Sequence, residues 1–177
     1  MAYAFTSAVE VIGEEPFTYK EAMASKDSNK RLTTMRSEIE SLKKNHTWEL
    51  VERPKRQQVV GCKWLYKIKE GARENSKPMY KTRLVARGFT QVPGIDFNEV
   101  FSSVVRHISI RILLAITAQL DLNLEQMDVT TAFLHRDQEE RILMDHPKGF
   151  EAKGEVEKVC LLRKSLYGLK QSPRQWY

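Results

Sequence analysis

Hydrophobic spacing along the 177 residues changes period at several points, and each change marks a different element. Residues 1–27 hold no sustained period and predict a flexible, loosely packed lead-in. After Ser28 or Asn29, either suited to an N-cap, Leu32, Met35, Ile39 and Leu42 recur at helical intervals as far as Asn45, which suits a stop. That spacing predicts an amphipathic helix. Residues 48–51 form a short extended candidate, closed by Pro54.

Between residues 59 and 69 the period drops to two. Cys62, Trp64, Tyr66 and Ile68 share one face, while Lys63, Leu65, Lys67 and Lys69 share the other. Beyond a polar turn with Gly71 and Asn75, residues 79–89 alternate again, with Tyr80, Thr82, Leu84 and Ala86 opposite Lys81, Arg83, Val85 and Arg87. Paired as an antiparallel hairpin, the two strands make a sheet with one apolar and one cationic surface. Lysines on a half-exposed strand usually serve solubility and edge protection. Six cations on one side of one hairpin favour contact with phosphate.

Residues 108–120, rich in Ile, Leu and Ala, predict a largely buried helix, and 122–129 a strand entering the core, followed by a turn or short helix over 130–134. Residues 141–144 and 159–162 read as further short strands around a loop with Pro147, Gly149 and Gly154. Ser172 and Pro173 suit an N-cap and first helical residue. A helix that has only begun at Tyr177 predicts a chain cut before the end of its domain.

Composition narrows the class: 41% hydrophobic and 29% charged residues fit a globular chain, not a disordered one. Cys62 and Cys160 stand far apart, outside any CxxC or Cys/His spacing, and are expected to be buried, reduced thiols. No apolar run is long enough for a membrane span and the start lacks a basic signal-peptide region. An intracellular protein is expected, cytoplasmic or nuclear. The net charge of +6 is segregated, with eleven Lys/Arg against two acids over 53–90 and five against none over 158–177. Such segregation is the footprint of a polyanion-binding surface, although a solvated lysine-rich face is the commoner source of any single run.

Two segments carry candidate chemistry. Asp128 stands in QMDVTTAFL (126–134), at the end of an apolar stretch and before a turn. Capping or turn duty is the commoner role for such a residue. Its position also suits Mg²⁺, which takes one or two carboxylates and leaves its remaining sites to water and phosphate oxygens. A companion acid is needed, and Glu125 falls on the opposite strand face while Asp121 lies too far back. The second segment, LYGLKQSPR (166–174), sets Gly168 and a helix start among cations. It fits close approach by an anionic or planar ligand, or a plain glycine loop leading into a capped helix.

In combination these segments resemble a known family. NHTW (45–48), KWL (63–65), YKTRLVARG (80–88), GID (94–96), SIR (109–111), the Asp128 segment and SLYGLKQSPRQWY (165–177) occur in an order that resembles the reverse transcriptase domain of copia-type retrotransposon polyproteins. The resemblance runs from about Glu15 to the last residue. It implies an α+β right-hand polymerase fold, with a fingers hairpin over about 59–90 and the first part of the palm over about 105–177, within a partial domain spanning 28–177. It also implies RNA-directed DNA synthesis on a template-primer with deoxynucleoside triphosphates and two Mg²⁺ ions. Asp128 matches the first catalytic, metal-binding aspartate, and Phe133 the aromatic gate beneath the incoming sugar. Arg83 matches the fingers arginine on the triphosphate, with Lys67 or Lys69 as its lysine partner. Tyr167, Gly168, Lys170 and Ser172 match the motif lining the nucleotide pocket.

The family's paired aspartates, the rest of the palm, the connection and the RNase H part fall outside these residues, so the chain alone is expected to be inactive. Arg31 replaces a usual tryptophan, Ser103 a proline, Thr82 an alanine, and Arg136 and Gln138 interrupt a Gly-Asp-Leu bend. A glycine at such a bend often holds positive φ, which would strain Arg136. These departures look like drift. The competing readings are a non-catalytic nucleic-acid-binding remnant and a decayed transposon relic.

Overall fold

The computed structural model describes residues 15–55, 57–69, 78–100, 106–127, 129, 131–151, 154 and 157–176. Helices α1 (Tyr19–Ala24) and α2 (Ser28–Lys44) precede strands β1 (Trp48–Glu52), β2 (Val59–Val60), β3 (Cys62–Lys69) and β4 (Met79–Ala86). Helix α3 (His107–Gln119), β5 (Leu143–Met144), β6 (Lys158–Leu162) and α4 (Ser172–Trp176) follow, with 3-10 turns at Gly88–Thr90 and Ala132–His135. Strands β3 and β4 form the antiparallel hairpin, and the others a four-stranded sheet in the order β1-β6-β5-β2, with β2 and β5 parallel. The α+β class stands.

The hairpin follows its alternation. Trp64, Tyr66, Thr82, Leu84 and Ala86 are buried, whereas Lys63, Leu65, Lys67, Lys69 and Lys81 are exposed. The stretch expected as one strand from 59 is broken at Gly61, so Val59 and Val60 pair with β5 while the chain from Cys62 onward pairs with β4. Met35, Ile39 and Leu42 of α2 join Trp64, Tyr66 and Leu84 in a core that continues through Met144, Cys160, Leu162, Leu166 and Leu169. Leu143, Val159 and Leu161 form a smaller cluster with Val51 and Val59.

Helix α2 departs from its expected register in one place. Arg31 is buried and Leu32 only half-buried. The Arg31 guanidinium lies 5.8 Å from the centre of the Tyr66 ring and 5.5 Å from that of Tyr80, so a planar cation stands where the resemblance implied a tryptophan. The N-cap is Asp27, whose carboxylate accepts from Lys30 at 2.8 Å and makes no cap hydrogen bond. At the other end His46 takes φ 51°. The His46 amide donates to the Lys43 carbonyl and the Thr47 amide to that of Leu42, a Schellman closure. The buried Thr47 carbonyl then accepts from the amides of Arg163 and Lys164, tying the end of α2 to the end of β6.

Three expectations are corrected. The lead-in placed over 1–27 contains α1, capped by Thr18 and packed through the fully buried Ala22, so 15–27 belong to the fold while 1–14 lie outside the described residues. The helix over 108–120 exists, but none of its residues is buried. Ile108, Ile112 and Leu113 are more than half exposed, because no described element packs extensively on α3. Residues 122–127 are not a strand, and Leu122, Leu124 and Met127 are exposed. A strand needs a neighbour to take its amides and carbonyls, and none of the described strands pairs with this stretch. Asp128, Thr130 and Ser103 lie outside the described residues.

The other departures from the family pattern are accommodated. Thr82 shares a 2.7 Å hydrogen bond with Thr34, Gln138 donates through its side chain to Glu140, and Arg136 sits at φ −107°, without the strain expected of it. Cys160 is buried and Cys62 half-buried, with the Cys62 thiol directed at the Asp145 and His146 carbonyls. Burial pushes both thiols up to about 12 from 9.0. A raised thiol pKa contributes stability below the unfolded value of 9.0, which is lost as pH climbs toward about 12. The native protein at pH 8 is therefore expected to resist a disulfide exchange reagent until it unfolds, with denaturation accelerating above pH ~9. A rapid stoichiometric burst of thiol release from folded protein would contradict this.

Candidate functional site

Two residues of β4 reach a cleft by simple alternation. Lys81 and Arg83 leave the hairpin on its cationic face and line a space of about 340 Å³. Its remaining walls include Glu38 and Leu42 of α2, residues 129 and 131–134, Tyr167 and Trp176. Tyr167 organises the interior. The Arg83 guanidinium lies 4.7 Å from the centre of its ring, and the Phe133 ring meets it edge-on at 4.7 Å and 75°. A guanidinium held over an aromatic ring keeps its charge and its N–H donors, which can grip a phosphate or carboxylate with two hydrogen bonds. Among the described residues no acid forms an ion pair with Arg83 or Lys81.

The loop carrying Tyr167 is held by close backbone contact with the end of β4. The Ala86 amide donates to the Tyr167 carbonyl at 2.8 Å. Gly168 has φ +92°, and a Cβ there would fall 2.2 Å from the Ala86 carbonyl oxygen and 2.6 Å from Val85. A Cβ on Gly88 would fall 2.0 Å from the Gly168 carbonyl oxygen. The glycine thus admits protein backbone, as the plain-loop alternative had it.

Lys170 and Ser172 act behind the cleft and do not line it. The Lys170 amide donates to Gln91, whose own amide reaches Gln171, and Gln171 continues to the Asp96 carbonyl and Glu140. The Ser172 hydroxyl, buried, donates to the Leu166 carbonyl and accepts from Ser165, both at 2.6 Å. Ser172 is the first residue of α4 and not its cap.

Lys67 and Lys69 do not line the cleft either. Lys67 is ion-paired with Glu15 at 2.8 Å, and Lys69 stands opposite Met79 at the far end of the hairpin. Lys81 is the hairpin lysine that lines the cleft with Arg83, two residues away on the same strand face. Arg87 falls beyond the end of β4 and lines a separate pocket with Cys62, Trp64 and Lys148. Glu38 and Trp176 were not foreseen. Glu38 accepts the Leu84 amide at 3.2 Å; burial pushes its carboxyl above the ordinary range, while that hydrogen bond and the charges of Arg83 and Lys81 pull it down. Thr131 holds φ 54°, a costly conformation for a β-branched residue and one that clusters at functional sites.

Asp128 is outside the described residues; Val129 and Thr131, the first and third residues after it, line the cleft. Among the described residues no group of three acids, histidines or thiols could hold a metal ion, so no step is assigned to one.

Residues 45–177 match the family model for reverse transcriptase (RNA-dependent DNA polymerase). The chain belongs to the reverse transcriptase family. It is 51% identical over 163 residues to the Pol polyprotein of transposon TNT 1-94 from Nicotiana tabacum, covering 92% of this chain and 12% of that protein. The Pol polyproteins of transposons RE2 and RE1 from Arabidopsis thaliana are 43% and 42% identical, over 92% and 98% of this chain and 11% and 12% of their own lengths. This reverse transcriptase chain therefore spans about an eighth of the curated relatives it matches. No solved structure matches it significantly.

The glycine contact can be tested in this reverse transcriptase chain by comparing two substitutions. Gly168→Ala is expected to cost roughly 1–3 kcal/mol in urea unfolding. Gly94→Ala, at φ +78° but with open space around it, should cost only about 1 kcal/mol. Equal losses at the two positions would show that the close approach to β4 is unimportant.

Proposed function

We infer that the cleft is the triphosphate-facing part of the nucleotide site of an RNA-directed DNA polymerase, with β3 and β4 as its fingers hairpin and residues from about 105 onward as the first part of its palm. The observation that carries this is the convergence of Arg83, Tyr167 and Phe133, three residues far apart in sequence, on one cleft. In this reading Arg83 and Lys81 take phosphate oxygens, Phe133 lies under the sugar, and Tyr167 fixes both by stacking. Gly168, Lys170 and Ser172 hold the Tyr167 loop in place.

Reverse transcriptases are in general divalent-metal enzymes acting on nucleic acid. Asp128 is the residue here proposed to contribute to the two Mg²⁺ sites, where the ions would activate a primer hydroxyl and neutralise the leaving pyrophosphate. Template-primer and deoxynucleoside triphosphate are the proposed substrates. The apolar surface of α3 and of 122–127 is proposed to be covered by further polymerase parts. No described helix is long and apolar enough to cross a membrane.

Binding and catalysis are expected to separate in this chain. A fluorescent deoxynucleoside triphosphate should bind the parent protein, with Arg83→Gln weakening it about tenfold or more, since hydrogen bonds to charged groups exceed neutral ones. An unchanged affinity would remove Arg83 from the site. Primer extension by the isolated chain is expected to be undetectable, because one palm carboxylate cannot anchor two divalent ions. Extension that disappears in Asp128→Asn would refute that part. The alternative reading, a non-catalytic nucleic-acid-binding remnant, is favoured by the segregated cationic face and leads to the same expectation for extension.

A further inference from the structure

Hairpin register sets Lys67 directly opposite Lys81. Like charges in directly opposed strand positions repel and leave a demand for an anion between or beside them. Among the described residues Lys67 is the one cation of this face with an acid partner. It donates to one Glu15 carboxylate oxygen at 2.8 Å, and the Ile68 amide, on the free edge of β3, donates to the other at 3.2 Å. An ammonium and the next main-chain N–H thus converge on one planar anion. Lys67 is the leading reason that the Glu15 carboxyl is held below its ordinary range.

We propose that Lys67 and the Ile68 amide form a phosphate site on the hairpin, separate from the cleft, which the chain fills with its own Glu15. The inference rests on the reading above that the cationic face meets nucleotide phosphates. Glu15 supplies two oxygens on one centre, as a phosphate group would, and accepts from the same two donors. The contact is suited to displacement: the side chains of Lys67 and Glu15 remain 58% and 36% exposed, and ion pairs in such surroundings are weak and salt-screened. Lys81 connects the two places, since it lines the cleft and faces Lys67 across the hairpin. A phosphate taking Glu15's place beside Lys67 would also offset the repulsion between the two lysines.

The test uses the 177-residue chain, with a labelled oligothymidylate and labelled dTTP as probes. Glu15→Gln is expected to tighten binding about two- to fivefold at low salt. If the phosphate comes from a strand, the slope of log K against log salt should steepen by about 0.7, one added contact on single-stranded nucleic acid. Glu15→Asp should behave like the parent. Adding Lys67→Gln should abolish the gain. A gain confined to dTTP would assign the phosphate to the free nucleotide, and a gain confined to the oligonucleotide would assign it to a strand. No gain with either probe in a variant that melts like the parent, or a gain that survives Lys67→Gln, would overturn the proposal. Arg83→Gln judges the cleft independently: an unchanged dTTP affinity there would fell the cleft reading, whereas the Glu15–Lys67 cycle alone decides this one.

Discussion

The contact between the Ala86 amide and the Tyr167 carbonyl, closed at 2.8 Å over two glycines, joins parts of the chain that sequence keeps some eighty positions apart. By itself such a bond contributes on the order of 1 kcal/mol. Its importance is geometric. Ala86 lies three residues after Arg83, so docking at Ala86 sets the Tyr167 ring under the guanidinium and against Phe133. The Gln91 to Gln171 amide chain and the Ser165–Ser172 pair hold the same loop from behind. With a side chain at Gly168 the backbones could not meet, and the cleft would lose the wall that orients its cation.

A second constraint works along the edges of the hairpin. A two-stranded sheet exposes outward-facing amides on both sides, and unpaired edges invite another strand. Here the Ile68 amide is taken by Glu15, that of Leu84 by Glu38 and that of Ala86 by Tyr167, none of them in a strand. Each acceptor also brings something to the cationic face: a carboxylate beside Lys67, a carboxylate in the cleft, and the ring beneath Arg83. Edge protection and site construction are thus done by the same three groups.

How much of this could be read in the sequence depended on whether the determining contacts were local. Period-two alternation gave both hairpin strands and their faces, because a pleated strand shows its environment in every second residue. It also contained Lys81, which the emphasis on Lys67 and Lys69 passed over. The helix from Ser28 was legible, yet Arg31 replaced Leu32 in the core, since two tyrosine rings from the hairpin make a place for a planar cation that periodicity cannot reveal. Glu38 and the docking role of Gly168 depend on contacts across 46 and more than 80 residues. Helix α3 shows the opposite failure: its composition implied burial, but burial requires a neighbour, and no described element provides one. Residues 122–127, with Leu122, Leu124 and Met127 exposed, likewise form no strand.

The balance of charge in the cleft follows from what surrounds its cations. Lys81 and Arg83 stand two residues apart on one face and repel, with no ion-paired acid among the described residues to offset them. Stacking on Tyr167 lowers the cost for Arg83 without neutralising it, because the ring meets the cation through its quadrupole and leaves the full charge in place. Glu38 offsets part of the rest, but its carboxyl is itself penalised by burial and spends one oxygen on the Leu84 amide. The cleft therefore carries an excess of positive charge close to low-dielectric walls, where each unit of charge acts over a longer reach than in water. A polyphosphate entering it would relieve repulsion and gain oriented donors in the same step, whereas a neutral ligand of equal size would do neither. The proposed preference for a multiply charged anion thus follows from the hairpin's alternation combined with the glycine contact that fixes Tyr167.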